Sequence, residues 1–265
     1  MTLGPERRSC AERDMRADFA GSCPKDLAEP ESNEDKFVLS EDGSRLALCD
    51  GASESYDSRM WATQLASQFV EDPKFDVEWM HRAVVAFNTA HDFEAMSWSK
   101  QSAFERGSFS TLLGVEHDAS NGVLDVLAIG DCIALLLDGD GLVEAWPFGD
   151  PERFKEHPTL LATLPAHNAF ISELGFWTAS HTTWRLDRCK SPRVLCLSDA
   201  LAEWALRGAD RGTARLSQLA AMKSEQQLCD LVVAERSAKE LRVDDSTLLV
   251  LSFASSSSAD AVPDA

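Results

Sequence analysis

The sequence predicts a mixed α/β fold of the α+β type, and three features support this prediction. Short apolar runs bounded by Asp, Gly and Ser are typical of buried strands. Asp-Gly pairs at 42–43 and 138–139 join such runs to the next ones, as hairpin turns between antiparallel strands do. Other stretches carry apolar residues at helical spacing. With 265 residues, 44% of them hydrophobic, the chain can form one large domain with a full core, or at most two small ones.

The first half of the chain predicts a hairpin followed by two helices. Residues 1–32 are polar and are expected to form a loosely ordered lead-in. Ser55 or Asp57 can cap the first helix, because a side-chain oxygen at that position accepts from a free N–H group of the first turn. The predicted elements are an edge strand around 15–19, strands at 37–39 and 46–49 joined by a turn at 41–44, a helix with the apolar stripe Trp61, Leu65, Phe69 and Val70, and a helix at 77–93.

The second half predicts further strands and helices around an unusual segment. Residues 147–186 contain four prolines, three histidines and six Phe or Trp residues. Because this segment is too long for a plain connection and too apolar for disorder, we expect a functional insertion or lid and a candidate surface for a partner protein. One folded domain is assigned to 33–253, and the tail 254–265 is expected to be disordered. The other predicted elements are a sheet section at 107–113, strands at 123–129, 133–137, 142–146, 193–197 and 247–253, and helices at about 199–207, 214–221 and 224–238.

The composition excludes several classes of protein. A formal net charge of −19, from 44 acidic and 25 basic residues, argues against binding of nucleic acid or of an anionic membrane, since such proteins show the opposite balance. No apolar run is long enough to span a bilayer, and residues 1–12 lack the apolar core of a secretory signal. The seven cysteines are odd in number and include no Cys-x-x-Cys pair, which favours reduced thiols. We therefore expect a cytoplasmic protein.

Acidic residues stand at the ends of five predicted strands that are distant in the sequence. A sheet can gather side chains from its strand ends into one pocket, and clustered carboxylates repel one another unless cations are present. Hard divalent ions with oxygen ligands, Mg²⁺ or Mn²⁺, are the natural partners of such a cluster. The candidate metal ligands are Glu34, Asp35, Asp50, Gly51, Asp131, Asp199, Asp244 and Asp245.

Each of these motifs alone also has an ordinary structural interpretation. Glycine and aspartate are common in turns, and Ser-Asp pairs are common at helix N-termini. Only the joint pattern favours a metal site. The ordinary interpretations are a turn for Asp50-Gly51, a bulge for Gly130-Asp131, an N-cap for Ser198-Asp199 and a solvated turn for Asp244-Asp245.

The order and spacing of these motifs resemble those of the metal-dependent type 2C Ser/Thr protein phosphatases, in a divergent, bacterial-like form. The resemblance covers roughly residues 30–253. It depends on the occurrence of all the motifs in the same order, since each motif is short. The matching segments are Asn33-Glu34-Asp35-Lys36-Phe37, Leu48-Cys49-Asp50-Gly51-Ala52-Ser53, Gly107-Ser108-Phe109-Ser110-Thr111, Ile129-Gly130-Asp131-Cys132, Leu197-Ser198-Asp199-Ala200-Leu201 and Asp244-Asp245-Ser246-Thr247.

The sequence departs from the family pattern at several places. Many members carry an arginine just before the acidic pair, which holds the substrate phosphate, but residues 29–33 contain none. Ala52 stands where animal-type members have a histidine that serves as general acid. Ala200 replaces the usual glycine and Asp245 the usual asparagine. These departures concern phosphate capture and protonation of the leaving group more than the metal ligands.

The resemblance implies both a fold and a reaction. The fold is a central antiparallel β-sandwich flanked by helices on both faces, in four αββα layers, with the ions at one end between the sheets. The reaction is hydrolysis of a phosphomonoester on a Ser/Thr phosphoprotein by water that two Mg²⁺ or Mn²⁺ ions activate. Asp50 would bridge both ions, and Asp50 and Asp199 are the expected catalytic residues. The Gly51 carbonyl would bind one ion, Asp199 and Asp244 would complete the first site, Glu34 would serve the second, and Asp131 with Asp199 would hold a third ion.

Two other readings of the sequence remain open. A catalytically weak or inactive pseudophosphatase, serving as a regulatory binding module, is favoured by the missing arginine and histidine. A structural or ligand-binding sandwich without a metal would use the same acids as turn residues and helix caps. The mutual repulsion of the retained carboxylates counts against the pseudophosphatase, because without a metal role it costs stability.

Overall fold

A computed structural model describes residues 13–207 and 209–255 of the chain. Groups of strands and groups of helices follow one another along this described part. The strands are β1 (Arg13–Cys23), β2 (Lys36–Leu39), β3 (Arg45–Cys49), β4 (Phe109–Ser110), β5 (Leu112–Asp118), β6 (Val123–Ile129), β7 (Ile133–Asp138), β8 (Gly141–Trp146), β9 (Leu161–Ala162), β10 (His181–Arg185), β11 (Pro192–Leu197) and β12 (Ser246–Ser255). The α-helices are α1 (Ser58–Glu71), α2 (Val77–Thr89), α3 (Trp98–Glu105), α4 (Phe176–Ser180), α5 (Asp199–Leu206), α6 (Ala209–Ala220) and α7 (Glu225–Ser237).

Two antiparallel sheets of five strands form the centre of the described structure. The first sheet has the strand order β1-β12-β11-β7-β8, and the second has the order β10-β6-β5-β3-β2. A separate pair, β4 with β9, lies beside them. The Asp-Gly hairpins predicted from the sequence are present, because β2 pairs with β3 and β7 pairs with β8. These tight turns bring sequential strands together, while β1 and β12 meet from opposite ends of the chain.

Three apolar clusters show how the layers stack. Leu46 and Leu48 of β3 belong to the cluster between the two sheets, whereas Ala47 and Cys49 belong to the cluster beneath α1 and α2. This alternation is the two-residue period of a strand that is buried on both faces. A third cluster joins the first sheet to α5, α6 and α7. The mixed α/β fold with antiparallel sheets is therefore confirmed, and the three clusters fit the four-layer αββα sandwich that the resemblance implied.

The N-terminal lead-in is shorter than the sequence predicted. The edge strand expected around 15–19 runs over Arg13–Cys23 and pairs along its length with β12, with one register shift between Ala17 and Phe19. The folded unit thus begins well before residue 33, because β12 is apolar and needs an edge partner. At the other end, β12 continues to Ser255, into the tail expected at 254–265. Residues 1–12 and 256–265 lie outside the described structure.

The helices follow the predicted stripes, with several differences, among them that α6 begins at Ala209, before the predicted residue 214, and that the short helix α4 was not predicted. Asp57 caps α1 by accepting from the Met60 N–H at 3.3 Å, and Asp76 caps α2 by accepting from the Trp79 N–H at 2.7 Å. The second helix ends at Thr89, earlier than the predicted residue 93. Helix α3 was not predicted, because its residues have little amphipathic pattern and none of them is buried. Within the described residues, no helix combines the length and apolar character needed to cross a membrane.

The segment 147–186 packs against the sandwich as irregular structure and short elements. Its last strand, β10, adds to the edge of the second sheet by pairing with β6. Phe176 and Ile171 are buried in the cluster that α1 and α2 share with this sheet. Asn168 braces β9 through hydrogen bonds with the N–H and carbonyl of Ala162, at 2.9 and 2.8 Å. The segment is therefore anchored at its end and in its middle.

Gly114 determines how closely α1 can approach the second sheet. A methyl group on Gly114 would lie 2.3 Å from Cζ of the buried Phe69. We expect Gly114→Ala to destabilise the protein by about 1–3 kcal/mol, because an overpacked core must displace the ring or the helix. Chemical denaturation measures this change. Gly141→Ala is the matched control, since its added methyl group would meet only the Asp138 carbonyl at 3.7 Å. Equal stability losses in the two variants would contradict this account.

Candidate functional site

Four of the predicted carboxylates meet at one end of the sandwich. Asp50 follows β3, Asp131 follows β6, Asp199 begins α5, and Asp244 precedes β12. Together with Gly51, they line a cavity of about 370 Å³. The structure thus gathers five of the eight candidate residues around one space, and their role as ligands stays a prediction.

Backbone hydrogen bonds hold the Asp50-Gly51 corner in place. The Asp50 N–H donates to Thr111 Oγ1 at 2.8 Å, and the Asp50 carbonyl accepts from the Thr111 N–H at 2.9 Å and from Ser110 Oγ at 2.8 Å. A methyl group on Gly51 would lie 2.8 Å from the Ser58 carbonyl, so only glycine lets α1 pack this closely. The Gly107–Thr111 motif therefore has a physical role here, which is to position the backbone of Asp50.

Glu34 lies beside this cavity and is already paired. Lys25 Nζ forms a salt bridge with Glu34 Oε2 at 2.6 Å, and the hydroxyls of Ser53 and Ser58 each donate to the Glu34 carboxylate at 2.5 Å. Burial alone would raise the pKa of Glu34, but the bonds from Lys25 and the two serines outweigh it and lower the pKa. Glu34 is therefore ionised, and its negative charge is stabilised by hydrogen bonds and a salt bridge from other residues of the protein.

The remaining two candidates, Asp35 and Asp245, support the site instead of lining the cavity. Asp245 accepts from the backbone N–H of Lys25 at 2.7 Å and of Glu34 at 2.8 Å, which ties the chain before β2 to the start of β12. Asp35 is buried and accepts from Thr247 Oγ1 at 2.6 Å, while its Oδ1 has no hydrogen-bond partner. In this structure Asp245 holds backbone segments together, whereas the Asp35 carboxylate binds the Thr247 hydroxyl.

Burial and mutual repulsion raise the pKa of several of these acids. Burial raises the pKa of Asp50 well above its usual value, and the charges of Asp35, Asp244 and Asp131 raise it further. Burial also raises the pKa of Asp131. For Asp35, burial raises the pKa to about 7, against the hydrogen bond from Thr247. Such strongly perturbed acids in a cleft are typical of functional sites.

Arg242 is a residue of the site that sequence reasoning missed. Its Nη2 contacts Asp199 Oδ2, its Nε lies 3.9 Å from Asp244 Oδ2, and its Nη1 lies 3.8 Å from Glu203 Oε2. Its position two residues before Asp244 was the available signal, because an arginine there stands at the same end of β12. Lys25 was missed in the same way, since it lies in the segment expected to be loosely ordered.

The donor set fits a hard divalent cation by its chemistry. Carboxylates and a backbone carbonyl are the ligands that Mg²⁺ and Mn²⁺ prefer, and a cation would relieve the repulsion that raises the pKa of Asp50. Among the described residues, however, no three His, Cys, Asp or Glu side chains already stand in a group that could hold an ion. The carboxylates line one cavity, and ion binding would require their side chains to move together.

Solved structures of phosphatases are similar to this chain over almost its whole length. Neither a protein-family model nor a curated protein matches the sequence. PppA, a key regulatory component of T6SS in Pseudomonas aeruginosa, is 16% identical with a TM-score of 0.58, covering 91% of this chain and 98% of PppA. The photosystem II phosphatase PBCP is 13% identical with a TM-score of 0.54, covering 88% and 98%. The catalytic domain of the Ser/Thr protein phosphatase PstP, in complex with two manganese ions, is 17% identical with a TM-score of 0.51, covering 91% and 97%.

These similarities establish the fold. The chain has the architecture of these protein phosphatases, as its resemblance to the type 2C family implied. At identities of 13–17%, the shared property is the arrangement of the backbone, and the chemistry must be argued from the residues of this chain.

The raised pKa of Asp35 predicts that the metal-free protein loses stability as pH rises. Between the unfolded value near pH 4 and the folded value of about 7, the native state binds more protons than the unfolded state. Stability is therefore greatest at the lower end of this window and falls through pH 7. We expect the melting temperature in the presence of a chelator to be higher at pH 5.5 than at pH 8.

Asp35→Asn should make this pH dependence less steep. The amide can still accept from Thr247 but does not ionise, so we expect it to raise the melting temperature at pH 8 by roughly 4 °C or more. The control is Asp42→Asn, because hydrogen bonds from Ser40 and Ser44 hold the pKa of Asp42 at about 2 and it stays ionised throughout the window. An unchanged slope in Asp35→Asn would show that this acid is not protonated in the fold.

Proposed function

We propose that this protein is a metal-dependent phosphomonoester hydrolase that acts on phosphoserine or phosphothreonine in a protein substrate. The observation that carries the proposal is the cavity in which Asp50, Asp131, Asp199 and Asp244 converge from four separate segments. Burying like charges together is unfavourable unless a cation or a proton compensates them. The phosphatase fold and the manganese complex of PstP support the same interpretation.

Different residues of the site would bind each of two or three divalent cations. Asp50, the Gly51 carbonyl, Asp199, Asp244 and Glu34 would hold the first two ions, and Asp131 with Asp199 a third. When bound, Mg²⁺ or Mn²⁺ supplies positive charge that makes a water nucleophilic near neutral pH and offsets charge on the phosphoryl oxygens.

The surrounding side chains keep this ligand set in position. Thr111 and Ser110 hold the Asp50 backbone, and Asp245 holds the backbone of Glu34. Ser198 occupies the N-cap position of α5 without a side-chain capping bond, and its Oγ instead accepts from the Thr247 N–H at 2.9 Å, which fixes the start of the Asp199 helix against β12. Each acid is thus positioned by a segment other than its own.

The segment 147–186 would contribute to substrate binding. It forms most of a larger cavity of about 700 Å³, which shares Asp131, Glu156 and Pro158 with the carboxylate cavity. Arg153 lies in this larger cavity, pairs with Glu156 at 2.8 Å and stands over the ring of Phe148 at 5.4 Å. Because the two spaces adjoin, a peptide bound in the larger one could present a phosphate to the carboxylates.

Asp50→Ala and Asp199→Ala should each lower phosphatase activity at least about 100-fold, because each removes a ligand for which no neighbouring residue can substitute. Release of phosphate from p-nitrophenyl phosphate and from a phosphothreonine peptide, with Mn²⁺ or with a chelator, measures the effect. Asp230→Ala on the exposed face of α7 is the matched control. Full turnover in either site variant, or after chelation, contradicts the proposal.

A second candidate function is a pseudophosphatase that binds ligands without turnover. The contacts of Arg242 with Asp199 and of Lys25 with Glu34 favour it, because both acids already have cationic partners. The lack of an arginine in 29–33 favours it as well. Calorimetric titration with Mn²⁺ beside the activity assay separates the two functions: bound metal with no turnover supports the binding module, and no bound metal supports a sandwich without a metal function.

A further inference from the structure

We propose that Arg242 is a built-in counterion for the first metal position, and that it competes with divalent cations for the carboxylates of Asp199 and Asp244. Metal binding would then require this arginine to leave them. The inference rests on the proposed function in one respect, the assumption that Asp199 and Asp244 bind a metal ion. A measurement of metal affinity tests the inference, and no measurement of turnover is needed.

The position of Arg242 is the first support for this proposal. Its guanidinium contacts Asp199 through Nη2 and reaches toward Asp244 through Nε at 3.9 Å. These are the two acids that the proposed function assigns to the first ion. A guanidinium placed against these carboxylates neutralises part of their charge and repels a divalent cation that approaches them, so the two cations compete for the same position.

The charge of the cavity is the second support. Among the described residues that line it, Arg242 is the only lysine or arginine, whereas five acids line the same space: Asp50, Asp131, Asp199, Asp244 and Glu156. The local charge therefore depends on this one side chain. Its loss would leave the acids uncompensated and increase their attraction for a divalent cation.

The incomplete bonding of Arg242 is the third support, because it makes displacement feasible. The contacts with Asp244 and Glu203 are long, and its Nε is buried without a hydrogen-bond partner. A paired fork, with two parallel N–H donors on one carboxylate, would be much harder to displace. The Arg242 side chain as a whole is one-third exposed, so it can move into the open part of the cavity.

The second metal position shows the same arrangement. Lys25 Nζ holds Glu34 Oε2 at 2.6 Å and also donates to Ser53 Oγ at 2.7 Å. In the metal-free fold, each of the two positions thus has one cation supplied by the chain. Substitution of Arg242 is a more informative test than substitution of Lys25, because Arg242 contacts two of the proposed ligands and Lys25 contacts one.

The experiment measures the dissociation constant of Mn²⁺ by calorimetry in the full-length chain. Arg242→Met removes the positive charge and keeps much of the aliphatic part of the side chain. We expect the dissociation constant of Mn²⁺ to be at least about tenfold lower in this variant than in the wild type, because a competing charged hydrogen bond is lost. Arg242→Gln, which keeps a donor for Asp199, is the second variant if the first does not fold. Circular dichroism checks the fold of each.

The matched control is Arg207→Met. Arg207 contacts Glu203, as Arg242 does, but does not line the cavity. We expect this variant to bind Mn²⁺ within about twofold of the wild type, since its charge is screened by solvent. An unchanged or weaker affinity in the Arg242 variants overturns the proposal, and so does an equal gain in Arg207→Met or the absence of binding in every protein.

Failure of this proposal can be told apart from failure of the proposed function. A wild-type protein that hydrolyses phosphate esters with Mn²⁺, but whose affinity does not change in Arg242→Met, contradicts the counterion role alone. A protein without turnover, whose Mn²⁺ affinity rises in the variant, contradicts the phosphatase function alone. The two measurements thus give separate answers.

Discussion

The repulsion among carboxylates at one end of the sandwich is the constraint on which the site depends. Asp131 is buried and Asp50 is partly buried near other acids, and removal from water together with neighbouring negative charge raises their pKa values. A fold can keep such a cluster only if protons, metal ions or its own cations compensate it. The contacts of Arg242 and Lys25 are one form of compensation, and divalent ions would be another.

The sandwich supplies the rigidity that this cluster requires. Strands β3, β11 and β12 are apolar on both faces, so each is held by the partner sheet on one side and by helices on the other. Their ends therefore have little freedom to move apart when the acids repel. Hydrogen bonds that the side chains of Thr111, Ser198 and Asp245 accept from backbone N–H groups extend this rigidity to the loops. The large apolar core thus stabilises the arrangement that the charges alone would oppose.

Asp245 illustrates how a departure from the family pattern can be accommodated. The family usually has asparagine at this position, and an aspartate adds another negative charge to an acidic region. In this structure both of its carboxylate oxygens accept from backbone N–H groups, of Lys25 and of Glu34. The charge is therefore stabilised by the same segment that carries Lys25. This link explains why the stretch before β2 is ordered although its sequence is polar.

The sequence by itself determined the strands, the hairpins and the identity of the acids. Apolar runs, Asp-Gly turns and helical stripes are local patterns, and they located β2, β3, α1 and β12 within a few residues. The collinear motifs also indicated the fold class. Local patterns could not find α3, which has no apolar face, or the full length of β1, which is ordered by pairing with β12.

Only the tertiary structure decided which charges meet. Arg242 with Asp199, and Lys25 with Glu34 and Ser53, are contacts between elements whose distance depends on how the sheets and helices pack. The same packing separates the acids that line the cavity from Asp245, which bonds the backbone before β2, and from Asp35, which is buried against the Thr247 hydroxyl. The sequence does not distinguish an aspartate that lines the cavity from one that lies behind it. The difference depends on burial and on the nearest cation, which only the three-dimensional structure determines.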